Sequence, residues 1–269
     1  MRKLLPGSVA LIALGLSIPA MAGDLDVPGP GPAYKAARPV MRAYDWTGFY
    51  VGGNVGGHWG TDKITTTTDA GFEGSGTGTG AAAIDAVSPT TLHPKGFIGG
   101  VQAGYNLEGS GGVFGIEVDA NWLGGSAMRT LTNIPVISPL DVMTNSTQAS
   151  FLSTLRMRWG TAAISDRSLL YVTAGFAFAT LKTTDTMGHL GNTVITSTTN
   201  TTTEPGLAAG GGFEYAFTDN WSAKFEYLYV TTKNVGTTIP GVVGGDNIAV
   251  NHDYSDHIGR FGLNFKFGG

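Results

Sequence analysis

The sequence predicts an all-β chain in which eight antiparallel strands close into an up-and-down transmembrane β-barrel, with four long outer loops and short periplasmic turns. Three observations predict it. From Tyr44 onward, stretches of about ten residues alternate between an apolar and a polar face, the period of a strand with two environments. The connections between these stretches are alternately long and short. The composition is 42 Gly among 269 residues, no Cys and only 13% charged residues, with mean hydropathy close to zero. A soluble domain of this size carries about 25% charged residues. A helical membrane protein shows apolar runs of roughly 20 residues, and after the first segment this chain has none. Without Cys, stability in an oxidising compartment must come from something other than disulfides.

Residues 1–22 read as a secretory signal peptide: Arg2 and Lys3 form the positive start, Leu4 to Ile18 the apolar stretch, and Ala20, Met21 and Ala22 the small-residue site, with cleavage expected after Ala22. Losing Arg2 and Lys3 takes the formal charge from −4 to −6, which disfavours a nucleic-acid partner. Residues 23–43 contain four of the twelve Pro and read as a Pro-rich periplasmic linker, leaving 44–269 for the barrel.

The first stretch, Phe49 to Gly60, sets Phe49, Val51, Val55 and Trp59 against Tyr50, Asn54 and His58. Phe97 to Leu107 sets Phe97, Val101, Ala103, Tyr105 and Leu107 against Gln102, Gly104 and Asn106; Val113 to Trp122 sets Phe114, Ile116, Val118 and Trp122 against Glu117, Asp119 and Asn121. Phe151 to Thr161 opposes Phe151, Leu155, Met157 and Trp159 to Arg156 and Arg158, and Leu169 to Leu181 opposes Leu170, Val172, Phe176 and Phe178 to Thr173, Gly175 and Ala177. Leu207 to Phe217 pairs Phe213, Tyr215 and Phe217 with Glu214. Trp221 to Val230 pairs Trp221, Phe225, Tyr227 and Tyr229 with Lys224 and Glu226. His257 to Phe267 pairs Phe261, Leu263, Phe265 and Phe267 with Arg260, Asn264 and Lys266.

Residues 61–96, 123–149, 182–206 and 231–256 form the long connections, and 108–112, 162–168 and 218–220 the short ones, so both chain ends lie in the periplasm. Every Pro falls outside the eight stretches, as a closed ladder requires. A soluble lipocalin-like or sandwich fold would need a densely charged outer face. Here the polar face is narrow, Gly-rich and carries one or two charges per stretch, which suits a tight interior. Trp59, Phe97, Trp122, Phe151 and Tyr229 cluster at one end of the stretches and Phe49, Phe114, Trp159, Tyr215 and Trp221 at the other, the two aromatic girdles of a membrane band.

The polar face collects Glu117, Asp119, Glu214 and Glu226 with Arg156, Arg158, Lys224, Arg260 and Lys266. Eight strands enclose a space that side chains fill, so these groups are expected to pair as a structural polar core, with a charged gate or narrow ion path as the alternative. Among His58, His93, His189, His252 and His257, the segment HDYSDH (His252, Asp253, Asp256, His257) is the densest cluster that could bind a metal or pair a base with a carboxylate. No nucleophile motif or second ligand set accompanies it, so no catalytic, cofactor or metal residues are assigned. The repeat GSGTGTG at 74–80 reads as flexible loop, since no helix follows to receive a phosphate, and GGDN at 244–247 as a turn.

The segment YDWTGFYVGGNVGGHWG (44–60), followed in order by GFIGGVQAGYNLE (96–108), FGIEVDANW (114–122), WSAKFEYLYV (221–230) and HIGRFGLNFKF (257–267), resembles the small outer-membrane immunogenic, porin-like proteins of alphaproteobacteria. The resemblance spans the whole barrel. It implies a fold similar to the OmpA transmembrane domain, location in a Gram-negative outer membrane, and contact with outer-membrane lipid and lipopolysaccharide. It implies a surface-exposed, antigenic, porin-like protein that supports envelope integrity, with a small-solute channel or a haem-binding or adhesive receptor as alternatives. The receptor would need His93, His189 and His252 to converge. Barrels of this kind end on the aromatic of the last strand, whereas Gly268 and Gly269 follow Phe267 here; handling by the barrel assembly machinery is expected to be slightly altered. No oligomeric state follows from the sequence.

Overall fold

The computed structural model describes residues 44–68, 88–132, 141–162, 164–189, 193–232, 235–243 and 246–268. The expected signal peptide, the linker and the glycine repeat at 74–80 lie outside them, as do Gly244 and Gly245 of the expected turn. Eleven strands occur among the described residues: β1 (Gly48–Thr68), β2 (Thr90–Leu92), β3 (Lys95–Gly109), β4 (Gly112–Leu123), β5 (Ala127–Thr132), β6 (Asp141–Ala162), β7 (Ser168–His189), β8 (Thr193–Ala216), β9 (Trp221–Thr232), β10 (Val235–Val243) and β11 (Asp246–Lys266). Eight of them form a ring in the order β1-β3-β4-β6-β7-β8-β9-β11, every pair antiparallel, and β11 returns to β1 from Tyr50↔Lys266 to Thr68↔Ile248. The ring leaves these strands no edge inside a bilayer, where an unpaired backbone group would cost several kcal/mol.

Alternation decides which side chains meet lipid. Val55, Val101, Ile116, Met157, Val172, Phe225 and Phe261 are exposed on the outer wall, while Asn54, Gln102, Glu117, Arg156, Thr173, Lys224 and Arg260 beside them are buried. From Phe49 to Trp59 there are ten residue steps; at ~3.3 Å per step and a tilt near 40°, they rise roughly 25 Å, the height of an outer-membrane apolar band. The girdle residues sit at its two rims. On the outer rim Trp59, His257 and Tyr229 stand side by side on β1, β11 and β9, and Trp122 meets Phe151 edge-on at 6.0 Å. On the periplasmic rim Phe49 stacks on Phe267 at 5.6 Å, Phe114 lies 6.3 Å from Trp159, Trp221 meets Phe265 at 5.1 Å, and Tyr215 is exposed beside them. The membrane-spanning parts are therefore 49–59, 97–107, 114–122, 151–159, 170–178, 207–217, 221–229 and 257–267.

The long connections are not loops throughout, which corrects the sequence expectation. β1, β6, β7, β8 and β11 run on well past the outer girdle, and β2, β5 and β10 are wholly contained in segments read as loops. Apolar alternation stops at the girdle, so the pattern looked finished; yet β-branched Thr favours strands wherever one face is solvated. Above the ring the ladder divides into two leaves, β5-β6-β7-β8 and β2-β1-β11-β10, with no backbone pairing from one leaf to the other among the described residues. Pro205 lies inside β8 opposite Phe178, another departure from the expectation that strands exclude Pro. It is tolerated because β8 begins to pair with β9 only at Gly206, so at Pro205 one side of β8 has no ladder to supply.

The periplasmic turns are tight. Gly109 pairs with Gly112, so Ser110 and Gly111 alone make the turn from β3 to β4, and Gly112 adopts φ +113°, a conformation few side chains accept. Before β1 the chain does not leave the periplasmic mouth directly. Tyr44 and Trp46 are buried against Val113, Leu169, Tyr171 and Ala216, and the Trp46 backbone N–H donates to Glu108 Oε2 at 2.9 Å.

Candidate functional site: the barrel lumen

All eight ring strands contribute a polar side chain to the lumen, because the inward face of each strand is the one that lipid cannot touch. Arg156 on β6 donates from Nη2 to Glu117 Oε1 (2.6 Å) and Asp119 Oδ2 (2.8 Å) on β4, and from Nη1 to Glu226 Oε1 (3.2 Å) on β9. Arg260 on β11 donates from Nη2 to Glu226 Oε2 (2.6 Å) and Asp119 Oδ2 (2.9 Å). Lys224 on β9 holds both oxygens of Glu117 at 2.7 and 2.9 Å. Arg158 on β6 donates to Glu214 Oε2 on β8 at 2.6 Å and lies over the Tyr171 ring of β7 at 4.1 Å. The Tyr50 hydroxyl of β1 donates to Glu117 at 2.7 Å, and Gln102 of β3 reaches Glu214 through Asn264 by bonds of 2.6 and 2.8 Å.

Four carboxylates thus face four cations, all at most 4% exposed. Moving such ions out of water costs several kcal/mol each, recovered only when every charge has partners; the matched count meets that condition. Glycines make the room. A Cβ on Gly104 would collide with the Tyr50 hydroxyl, and one on Gly212 with the Tyr171 hydroxyl, so these two positions let the buried phenols cross the lumen. Lys266 departs from the expected set. It bonds the Asp45 carbonyl and lies over the Tyr44 ring at 4.4 Å, fixing the entering chain at the periplasmic mouth. It lies near the periplasmic end of β11, six residues beyond Arg260. Burial pushes the Tyr44 hydroxyl, which lies outside the band, up to about 12.

The lumen is not polar throughout, a further difference from the sequence reading. Outward of the charges lies an apolar layer that includes Ile98, Leu152, Leu181, Leu228, Val230 and Ile258. At the outer rim His58 Nδ1 is 2.9 Å from Asp256 Oδ2, which also accepts from the Tyr254 hydroxyl at 2.8 Å. Above it His252 Nδ1 is 2.8 Å from Asp62 Oδ2, and its Nε2 is 3.6 Å from Asp185 Oδ2. Ile64, Met143, Met187, Ile239, Ile248 and Val250 are also buried farther along the extended strands.

HDYSDH is therefore not one cluster. On a strand its residues alternate: His252, Tyr254 and Asp256 point inward and are buried, whereas Asp253 and His257 point outward, His257 Nδ1 lying 2.6 Å from the Tyr227 hydroxyl. His252 is fully buried and His93 exposed, so these two do not converge on a surface ligand; the His189 side chain lies outside the described residues. No group of three or more His, Cys, Asp or Glu placed to hold a metal occurs among the described residues. Sequence reasoning missed Tyr171, Asp62 and Asp185. The available signal was parity: 50, 54, 58, 62 and 64 keep one face of β1, and Tyr171 shares the face of Thr173.

Comparisons with known proteins agree with this architecture. The family model for the outer membrane protein beta-barrel domain matches residues 8–267. The chain is 31% identical over 260 residues to the 31 kDa outer-membrane immunogenic protein of Brucella melitensis, covering 96% of this chain and 98% of that protein, and equally to its counterpart in Brucella suis. Among solved structures, OprG from Pseudomonas aeruginosa is similar with a TM-score of 0.46 at 14% identity over 82% of this chain and 97% of that one. Neisserial surface protein A is similar with a TM-score of 0.38 at 16% identity over 82% and 98%. With a closed ring of two-faced strands, a lipid-height apolar wall and a family match over nearly its whole length, the chain belongs to the outer membrane β-barrel protein family and is a protein of the cell outer membrane.

Proposed function

We propose that this protein is a sealed structural barrel that supports the envelope and carries a folded two-leaf extension to the cell surface, without catalysis and without an open pore. One observation carries the reading: the lumen holds a complete network of four carboxylates and four cations that leaves no cation or carboxylate of the set free to escort a solute. The apolar layer outward of it and the Tyr44–Trp46 strap inward of it support the same reading. The buried His–carboxylate pairs reach no solvent, which supports a positioning role over a chemical one. The lipid-facing wall would contact outer-membrane lipid and lipopolysaccharide, after export by the 1–22 signal and insertion by the barrel assembly machinery.

The test is electrical. Purified protein reconstituted in planar bilayers is expected to give no steady conductance step. A reproducible step in the wild type that disappears when Arg156 and Glu117 are neutralised would replace the sealed barrel with a narrow ion channel.

A further inference from the structure

Above the membrane no backbone hydrogen bonds close the hoop among the described residues, and the two leaves face each other across a shared core. Among the described residues side chains alone join them. Thr147 of β6 donates to Asp62 Oδ2 of β1 at 2.6 Å, and Thr183 of β7 lies 3.3 Å from the Thr237 hydroxyl of β10. Between them His252 of β11 stands with Nδ1 against Asp62, in its own leaf, and Nε2 facing Asp185 of β7, in the other. β7 lies on the far side of the ring from β1, so this line of three residues crosses the whole lumen. Asn145 Nδ2 donates to Asp185 Oδ1 at 2.7 Å and fixes that carboxylate toward the histidine. All three ionisable groups are fully buried, and His252 Nε2 and Asp185 Oδ2 have no hydrogen-bond partner closer than each other.

We propose that His252 is a proton-operated latch: as an imidazolium it clamps the two extracellular leaves together through Asp62 and Asp185, and when it loses its proton the leaves part.

The charges around it favour this working. β1 presents Asp62 and β7 presents Asp185; β6 presents the neutral Asn145 and Thr147, and β10 the neutral Thr237. On β11 itself the next inward groups are Tyr254 and Asp256, and Asp256 is taken up by His58. Arg129 of β5 also crosses between the leaves, but it donates to the Thr90 hydroxyl of β2, so among the described residues no cation other than the imidazolium pairs with Asp62 or Asp185. Deprotonation leaves two buried carboxylates facing each other across a neutral ring, which like-charge repulsion and desolvation both disfavour. Burial alone would lower the histidine's proton affinity, but the two carboxylates outweigh it and hold His252 up at about 9. With a folded value above the unfolded ~6.5, the clamp is at full strength below about 6.5 and is lost as pH rises through about 9.

The chain has no Cys, so spin labels can be placed at will. Lys63→Cys and Lys182→Cys put one label on the exposed outer face of each leaf. Pulsed electron–electron distance measurement on the full chain in lipid nanodiscs is expected to give one narrow distribution at pH 6.5 and a broader, longer one at pH 9.5. Adding His252→Gln should give the broad distribution at both pH values. Asp185→Asn should remove most of the pH response. Retained heat modifiability on gels would show that each variant keeps a folded ring, and Asp185→Asn serves alone where His252→Gln fails to fold. A distribution that does not change between pH 6.5 and 9.5 in the labelled parent, or a response that survives Asp185→Asn, overturns the latch.

Discussion

Two regions of the same strands obey opposite rules. Within the band, β1 turns Val51 and Val55 outward and Tyr50 and Asn54 inward; above it, the same strand turns Lys63 and Thr65 outward and Ile64 inward. β11 does likewise, with Phe261 out and Arg260 in below, and Asp253 out and Val250 in above. On these two strands the parity never changes, and only the solvent does; on β6 a bulge between Ala149 and Phe151 shifts the parity, so that Arg156 and Arg158 face inward below it and Asn145 and Thr147 above it. Lipid accepts apolar groups, so charges retreat inward and must be paired there, whereas water accepts Lys and Asp, so apolar groups collect between the leaves. The lower region is a barrel closed by backbone, and the upper one is two sheets held by an ordinary hydrophobic core and, among the described residues, the buried ionic crossing at His252.

That contrast can be broken at its strongest point by removing one cation from the paired set. Arg156→Met leaves Glu117, Asp119 and Glu226 short of a partner and is expected to cost about 3–5 kcal/mol. Urea unfolding in detergent micelles, followed by gel mobility, would read this as a lower midpoint; an unchanged midpoint would mean the network is not structural. In the upper region Ile248→Ala should cost about 2–5 kcal/mol, but only locally. Hydrogen exchange should rise in the leaves while the heat-induced mobility change of the ring stays where it was, and a shift of both together would show one cooperative unit. The outer wall sharpens the comparison further. Val55→Lys, midway between the girdles, should cost about 2–4 kcal/mol, and Thr65→Lys, ten residues on along the same face, less than about 0.5 kcal/mol. Equal losses in refolding titrations into lipid vesicles would place the membrane boundary wrongly. The smallest effect belongs to the partly exposed Arg167–Asp219 pair at the periplasmic end, 2.7 Å apart, where Arg167→Gln should cost less than about 1 kcal/mol.

Much of the ring was legible because lipid enforces a strict alternation: each of the eight expected stretches lies on a ring strand, and eight of the nine expected inward charges share one network. Lys266 was misplaced because alternation gives a side chain's face and not its depth. The two-leaf extension was illegible for a related reason. Polar outward faces and Thr-rich composition look like loop when the only signal sought is apolar alternation.

The sequence by itself determined the class of fold, the number of ring strands, the inward and outward faces and the girdles, since each follows from local periodicity against a fixed external solvent. Only the tertiary structure decided which charge meets which, how the strap of Tyr44 and Trp46 fills the mouth, and that Asp62, Asp185 and His252 meet across the lumen. The contacts of His252 with Asp62 and Asp185 join residues more than 60 positions apart, and all of these meetings depend on register and the curvature of a closed sheet, which no local pattern encodes.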